Sequence, residues 1–215
     1  MIIDHNHPIY LNRWKYTGDN RYNGAFYYSQ EIVKNIIPNV ETNRNWITIN
    51  VKGQCRNHSI VFIHNNLHPE HYNWLKKYHD LILVCGIPET LKKVAHLGKP
   101  IYLPLSIDVE YVEQFKRPKT KQYAFVGRKS KRIGKSFHRE VDFIEGLPRE
   151  QLLPLMAEYQ YVYAVGRTAI EAKALGCQVL FYDDRFPDVG IWDVIDNKDA
   201  ALMLQDMIDK IDLNL

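Results

Sequence analysis

The chain has 215 residues, of which 46% are hydrophobic and 25% charged, and its formal net charge is +3. These values lie in the range of globular proteins with a substantial core, and the charge alone does not indicate a nucleic-acid binder. No apolar run reaches the roughly 20 residues that span a bilayer. The first residues, MIIDHNHPIYLNRW, lack the pattern of a secretory signal. We therefore expect a cytoplasmic protein with no transmembrane segment.

Seven apolar runs rich in β-branched and aromatic residues predict strands that are buried on both faces. They are WITINV from Trp46, SIVFIHN from Ser59, LILVC from Leu81, PIYLPL from Pro100, YAFVG from Tyr123, YVYAVG from Tyr161 and QVLFYD from Gln178. Segments with helical spacing lie between the runs. Two of them are marked by Leu152, Leu155, Met156 and Tyr159, and by Leu204, Met207, Ile208 and Ile211. The alternation predicts parallel α/β units.

A charged segment that contains proline, QFKRPKTKQ from Gln114 to Gln122, separates two series of strands and helices. We interpret it as an interdomain linker. The predicted division is a first domain of residues 1–115, a linker of residues 116–122 and a second domain of residues 123–215. Since open α/β sheets bind ligands beyond the carboxyl ends of their strands, we expect the site in a cleft between the two domains.

The three cysteines, Cys55, Cys85 and Cys177, are odd in number, widely separated and lie in or beside apolar runs. This distribution is typical of packed, reduced thiols and not of a disulfide framework.

Near the N-terminus, YTGDNRYNGAFYYSQEIV is a polar loop that leads into a helical pattern. Gly24, just before that pattern, would let the backbone approach a substrate. It would equally serve as a simple turn with Asn23 as the cap.

Histidines cluster in FIHNNLHPEHYNW, where His64 closes a predicted strand and His68 and His71 follow. Pro69 and Glu70 predict a helix start at this point, and no second ligand group has metal-binding spacing, so we expect no metal site. His64 is a candidate for proton transfer because imidazole titrates near neutrality, with a structural histidine as the alternative.

A strand ends at Gly127 and Arg128 in YAFVGRKSKRIGKS, and Lys135 follows after a basic loop. A guanidinium and an ammonium that converge on one strand end are suited to a diphosphate, although any exposed basic loop has the same spacing. The segment lacks the G-x-x-x-x-G-K-[ST] sequence of a P-loop.

A second glycine-arginine pair occurs in YVYAVGRTAIEAKALG, where a strand ends at Gly166, Arg167 follows and a helix begins near Thr168. Glycine at the turn and free N–H groups at the helix start are suited to a phosphate. Thr168 and Glu171 also have the spacing of a capping box, with Gly176 as a C-terminal stop. Both interpretations stay open, and Arg167 is the residue that capping does not require.

Taken in order, these segments resemble the two-domain nucleotide-sugar glycosyltransferases of the GT-B architecture over nearly the whole chain. The strongest match is VGRTAIEAKALGCQVLFYD, which is similar to the donor-site pattern of that family. FVGRKSKRIGKS resembles its Gly-Arg strand end with a following lysine, and the segment from DLILVC to LPLSID resembles the end of its first domain. The resemblance implies an α/β fold with two small Rossmann-like domains that face a cleft.

The resemblance also implies a function, namely metal-independent transfer of a sugar from a nucleoside diphosphate sugar to an acceptor hydroxyl, without a cofactor. His64 would be the catalytic residue, Gly24 would lie on the acceptor side, and Glu171 would accept hydrogen bonds from the ribose. The donor-binding residues would be Gly127, Arg128, Lys135, Gly166, Arg167, Thr168 and Glu171, with Lys131 or Arg132 as substitutes for Lys135.

Two departures from the family pattern leave part of this open. Tyr163 stands eight positions before Glu171, where retaining members commonly carry an acidic residue. The chain is also shorter than usual for this architecture. Two other functions fit the same residues: a glycosyltransferase acting on a modified base in DNA, and a non-catalytic nucleotide-binding module.

Overall fold

The computed structural model describes residues 28, 30–44, 46–49, 55–63, 69–132, 134–137 and 139–213. They form a mixed α/β structure with two four-stranded parallel sheets, one in each of two compact units. This arrangement is compatible with a pair of Rossmann-like domains.

The sheet of the first unit contains β1 (Trp46–Ile49), β2 (Ser59–Ile63), β3 (Leu81–Cys85) and β4 (Lys99–Tyr102). The strands lie in chain order, and β2 and β3 are buried along their whole length. Helical segments between and before them are a π-helix (Ile32–Ile36), two 3-10 helices (Ile37–Asn39 and Pro69–Lys77) and α1 (Pro88–Val94). The predicted helix start at Pro69 is confirmed.

The sheet of the second unit contains β5 (Lys121–Val126), β6 (Asp142–Ile144), β7 (Tyr159–Tyr163) and β8 (Gln178–Leu180). Its order is β6-β5-β7-β8, so the direction of winding reverses between β5 and β7. The helical segments of this unit are α2 (Val109–Glu113), α3 (Lys129–Arg132), α4 (Arg149–Met156), α5 (Arg167–Ala174) and a 3-10 helix (Val189–Ile191).

The last helix, α6 (Asn197–Asp212), belongs to the first unit, where it packs on the π-helix through a stripe that includes Leu204 and Ile208. Arg44 also fixes α6 to the first unit. Its fully buried guanidinium forms an ion pair of 2.5 Å with Asp212 of α6 and one of 2.9 Å with Asp80.

The units divide the chain differently from the predicted domains. The first unit includes the described residues up to Leu105 and resumes at Asn197, and residues 106–196 form the second. The difference at the C-terminus follows from the apolar stripe of α6, since this stripe is buried against the first unit and not against the sheet that precedes it in the chain.

The predicted linker of residues 116–122 is a structural part of the second unit. The ammonium of Lys119 donates hydrogen bonds of 2.8 Å each to the carbonyls of Ala157 and Leu175. These carbonyls lie at the C-terminal ends of α4 and α5, where helix carbonyls need donors and the helix dipole favours a cation. Lys119 therefore fixes the segment to the two helices.

All seven predicted strands are present, and the structure adds β6, whose three residues are too few to show a period in the sequence. The prediction of packed thiols is confirmed, because all three cysteines are free and buried. Within the described part of the chain, no helix is both long and apolar enough to cross a membrane.

Candidate functional site

The site lies in the second unit, at the carboxyl ends of β5 and β7. From β5 the chain continues to β6 at one edge of the sheet, and from β7 it continues to β8 at the opposite edge. The boundary between β5 and β7 is therefore the switch point of the winding. Ligands of doubly wound sheets bind in the crevice at such a point. Gly127 and Arg128 follow β5, and Gly166 and Arg167 follow β7. Strand order thus brings both predicted Gly-Arg pairs to one location.

A buried carboxylate, Asp183, joins two cations beside this switch point. Asp183 follows the end of β8, and its side chain is completely buried. The Nζ atom of Lys135 lies 2.9 Å from Asp183 Oδ1, and the guanidinium of Arg185 donates to both oxygens at 2.6–3.0 Å. Hydrogen bonds from Arg185, reinforced by Lys135, hold the pKa of Asp183 far below its usual range. Asp183 is therefore a permanent anion that ties two loops together.

Two further cations lie near Lys135 and Arg185. Arg128 is exposed, and Lys131 is half-buried with its Nζ atom 5.0 Å from the ring centre of Phe186. Burial, together with the positive charges of Arg128 and Arg185, lowers the pKa of Lys131 to about 8 against the opposing effect of Asp183. We call Arg128, Lys131, Lys135 and Arg185 the cation cluster. It carries four potential positive charges around two carboxylates, Asp183 and Asp184, the second of which lies 3.5 Å from Lys135 Nζ. The remaining excess of positive charge favours an anionic ligand.

The turn after β7 has a backbone conformation that requires glycine. Gly166 has φ +64° and ψ −141°, a region almost confined to glycine, and it is the N-cap of α5 without a side-chain cap. Apart from the two chain neighbours of Gly166, no atom of the described residues lies within 4 Å of the position that a Cβ atom would take. The backbone is therefore open to a ligand on this side, and glycine is required by its dihedral angles and not by crowding.

The capping-box interpretation of Thr168 and Glu171 is wrong. The helix begins at Arg167, so Thr168 is its second residue, and the cap position belongs to Gly166. The predicted stop at Gly176 is confirmed. Gly176 has φ +78°, and its N–H donates to the carbonyl of Lys173, as expected of a glycine that ends a helix.

Glu171 is buried between two arginines of the same unit. Its Oε1 atom lies 2.9 Å from Arg149 Nε and 2.9 Å from Arg167 Nη2. The guanidinium of Arg149 also lies over the ring of Tyr111, 4.9 Å from its centre. The carboxylate that the resemblance assigns to a ribose is thus occupied by ion pairs, and it orients Arg167 at the start of α5.

Several other predicted residues have clear positions. The N–H of Gly127 donates to the carbonyl of Ile144, and a Cβ atom at Gly127 would meet the Phe125 ring at 3.2 Å. Arg132 pairs with Glu145 at 2.5 Å and so points away from the cation cluster. Of the two substitutes considered for Lys135, only Lys131 lies within the cluster. Gly24 and His64 lie outside the described residues.

Sequence reasoning missed Asp183, Arg185 and Arg149. Asp183 is the last residue of the predicted strand QVLFYD and Arg185 follows two positions later, where the rule that strand ends carry ligand contacts would have found both. Arg149 has no such signal, because its pairing with Glu171 depends on the packing of α4 beside α5.

The arrangement as a whole is suited to binding an anion. Among the described residues, no group of three or more His, Cys, Asp or Glu side chains is placed to hold a metal ion. Neither the comparison with protein-family models nor the search of curated proteins finds a match to the chain.

Proposed function

We propose that the second unit binds the diphosphate of a nucleoside diphosphate sugar and that the protein transfers the sugar to an acceptor hydroxyl. The observation that carries this proposal is the cation cluster at the switch point of the second sheet. The resemblance of VGRTAIEAKALGCQVLFYD and FVGRKSKRIGKS to donor-site segments supports the choice of ligand.

The cations have different roles in this proposal. Arg128, which is exposed, meets the diphosphate first, and its planar guanidinium suits two phosphate oxygens. Lys131 and Lys135 neutralise the remaining charge as compact ammonium groups. Asp183 keeps Lys135 and Arg185 in place, and it reduces the repulsion between the cations before a ligand binds.

Charge stabilisation is the main catalytic effect that we assign to this unit. When the bond between sugar and diphosphate breaks, negative charge develops on the leaving group, and cations that are already in place stabilise that charge without reorganising. The backbone N–H groups at the start of α5 are further potential donors to the leaving group. We assign Glu171 to the orientation of Arg167 and not to the ribose, because its carboxylate is buried in two ion pairs.

His64 stays the predicted base, and Gly24 stays a predicted acceptor-side residue. An inverting reaction needs such a base on the acceptor hydroxyl, whereas a retaining reaction can proceed without it. The proposal for the cation cluster is independent of this choice, because both reactions release the same diphosphate.

A thermal-shift screen of the full chain with nucleoside diphosphates and their sugars tests the proposal, since a ligand of the native state raises the melting temperature. We expect stabilisation by at least one of them. Arg128→Ala should weaken the binding of that ligand about tenfold or more, as expected from loss of a charge-assisted contact. Lys116→Ala is the matched control, because Lys116 is an exposed cation beyond the opposite end of β5.

Three outcomes are decisive. If no nucleotide raises the melting temperature, the proposal is wrong. If Arg128→Ala and Lys116→Ala weaken nucleotide binding equally, the cation cluster is not part of the binding site. Nucleotide binding without sugar transfer or donor hydrolysis, over a broad set of acceptors, would instead identify a non-catalytic nucleotide-binding module.

A further inference from the structure

One face of the second sheet presents aromatic rings along three neighbouring strands. Side chains of paired residues in parallel strands lie on the same face. The register pairs Phe125 with both Phe143 and Tyr163, and it pairs Tyr123 with Tyr161. We call these five residues the aromatic face.

The two faces of this sheet differ in how they are covered. Ala124, Val126 and Val162 on the opposite face are at most 2% exposed, and α4 and α5 pack against β7. On the aromatic face, Phe143 is 49% exposed and Tyr161 is half-buried. Phe125 is completely buried, because the rings of Phe137 and Tyr182 pack against it and against Tyr163. Phe143 is therefore the most accessible ring of the aromatic face, and an aromatic ring exposed to this extent is a candidate for contact with a ligand.

Cations lie beside the aromatic rings. The guanidinium carbon of Arg132 is 4.2 Å from the ring centre of Phe143. Arg139 is exposed and close enough to Tyr163 to act on its hydroxyl group electrostatically. Both belong to the segment from residue 128 to 139, which contains six Lys or Arg residues and no Asp or Glu. Arg132 thus covers one side of the Phe143 ring, and Arg139 is an exposed cation near the same group of rings.

The positive charge is local to this surface. Residues 106–196 contain fourteen basic and fourteen acidic residues, so the second unit has no formal excess of either sign. Three acidic residues lie nearby. Glu140 is exposed and directly follows Arg139, Asp142 accepts a hydrogen bond from the hydroxyl of Tyr159, and Glu145 pairs with Arg132.

We propose that the aromatic face and the adjacent basic segment bind single-stranded nucleic acid. The exposed ring of Phe143 stacks on a base, and the exposed Arg139 pairs with the phosphate backbone. A duplex hides the faces of its bases, so the rings favour a single strand. An apolar protein partner fits less well, because it would bury the exposed guanidinium of Arg139. This activity goes beyond the proposed sugar transfer, and the two residues that test it, Phe143 and Arg139, lie outside the cation cluster.

Fluorescence anisotropy of the full chain with a labelled thymidine oligonucleotide of about 12 nucleotides tests this proposal, with a duplex of the same length in parallel. We expect binding to the single strand that weakens with salt. Phe143→Ala and Phe143→Leu should each raise Kd about tenfold, since both remove the stacking surface and leucine keeps the apolar volume. Phe181→Ala is the matched control, because Phe181 is 46% exposed and is not part of the aromatic face.

The salt dependence provides a second readout. Arg139→Gln should reduce the slope of log K against log salt by about 0.7, the value for one phosphate contact on a single strand. Absence of single-strand binding, equal or tighter binding of the duplex, or equal effects of the substitutions at Phe143 and Phe181 would each overturn the proposal. Nucleoside diphosphate binding by Phe143→Ala should be unchanged, so failure here is distinct from failure of the proposed transferase.

Discussion

Lys131 provides a direct test of the cation cluster, because its protonation should control the affinity for a nucleoside diphosphate. Burial and the charges of Arg128 and Arg185 lower the pKa of Lys131 to about 8 in the free protein. A bound diphosphate places negative charge beside the ammonium and raises this pKa again. Binding therefore takes up a proton above pH 8, and affinity should be highest below that pH and decrease as the pH rises.

The size of the effect follows from the protonated fraction. A group with a pKa of about 8 is about nine-tenths protonated at pH 7 and about one-tenth protonated at pH 9, so the affinity should decrease about tenfold between these values. Isothermal titration calorimetry at pH 7, 8 and 9 measures this, and buffers of different ionisation enthalpy report the proton uptake. The terminal phosphate of the ligand is already ionised over this range, since its second pKa is about 6.

Lys131→Arg separates this effect from titration of the ligand. A guanidinium stays charged at pH 9, so the variant should bind with an affinity that hardly depends on pH. Lys129→Arg is the control, because Lys129 is exposed and the dependence on pH should persist in that variant. An affinity of the unsubstituted protein that is constant from pH 7 to 9 would refute the reasoning, as would an equal decrease in Lys131→Arg.

Two stability measurements by chemical denaturation test the structural interpretation. Arg44→Met should lower the free energy of unfolding by about 2–4 kcal/mol, because it removes a buried partner from Asp80 and Asp212. The control Lys210→Met, which removes the exposed ion pair with Asp206, should lower it by less than about 1 kcal/mol. Burial raises the pKa of Asp80, but hydrogen bonds from His58 and Arg44 outweigh it and hold this pKa below its usual value. The stabilisation is therefore complete above the unfolded pKa of about 4 and is lost as the pH falls, and this loss should be smaller in Arg44→Met. Equal effects of Arg44→Met and Lys210→Met would contradict this role of Arg44. Gly166→Ala should cost about 1–3 kcal/mol and weaken nucleotide binding, since alanine does not tolerate the backbone angles there, while Gly190→Ala should change neither. A Gly166→Ala variant as stable as the Gly190→Ala control would show that the turn is not strained.

Local sequence patterns were sufficient for most of the secondary structure. The seven apolar runs correspond to seven strands. The prediction that these strands are buried on both faces was wrong for β4, β5, β7 and β8, which contain half-buried or exposed residues. The stripe of Leu204 and Ile208 marks α6, and Gly176 marks the end of α5. Local spacing was misleading at Thr168, because a glycine at an unusual dihedral angle already occupies the cap position that the threonine would have filled.

The sequence by itself determined which residue types stand at the strand ends, including both Gly-Arg pairs, because composition and periodicity are local properties of the chain. Only the tertiary structure decided which of these ends are neighbours. The order β6-β5-β7-β8 places the loop after β5 near the loop after β8, so that Lys135 meets Asp183 across 48 positions of sequence. The tertiary structure likewise placed Arg149 against Glu171, and it placed α6 in the first unit. Such pairings depend on the packing of whole elements, which no short segment of sequence specifies.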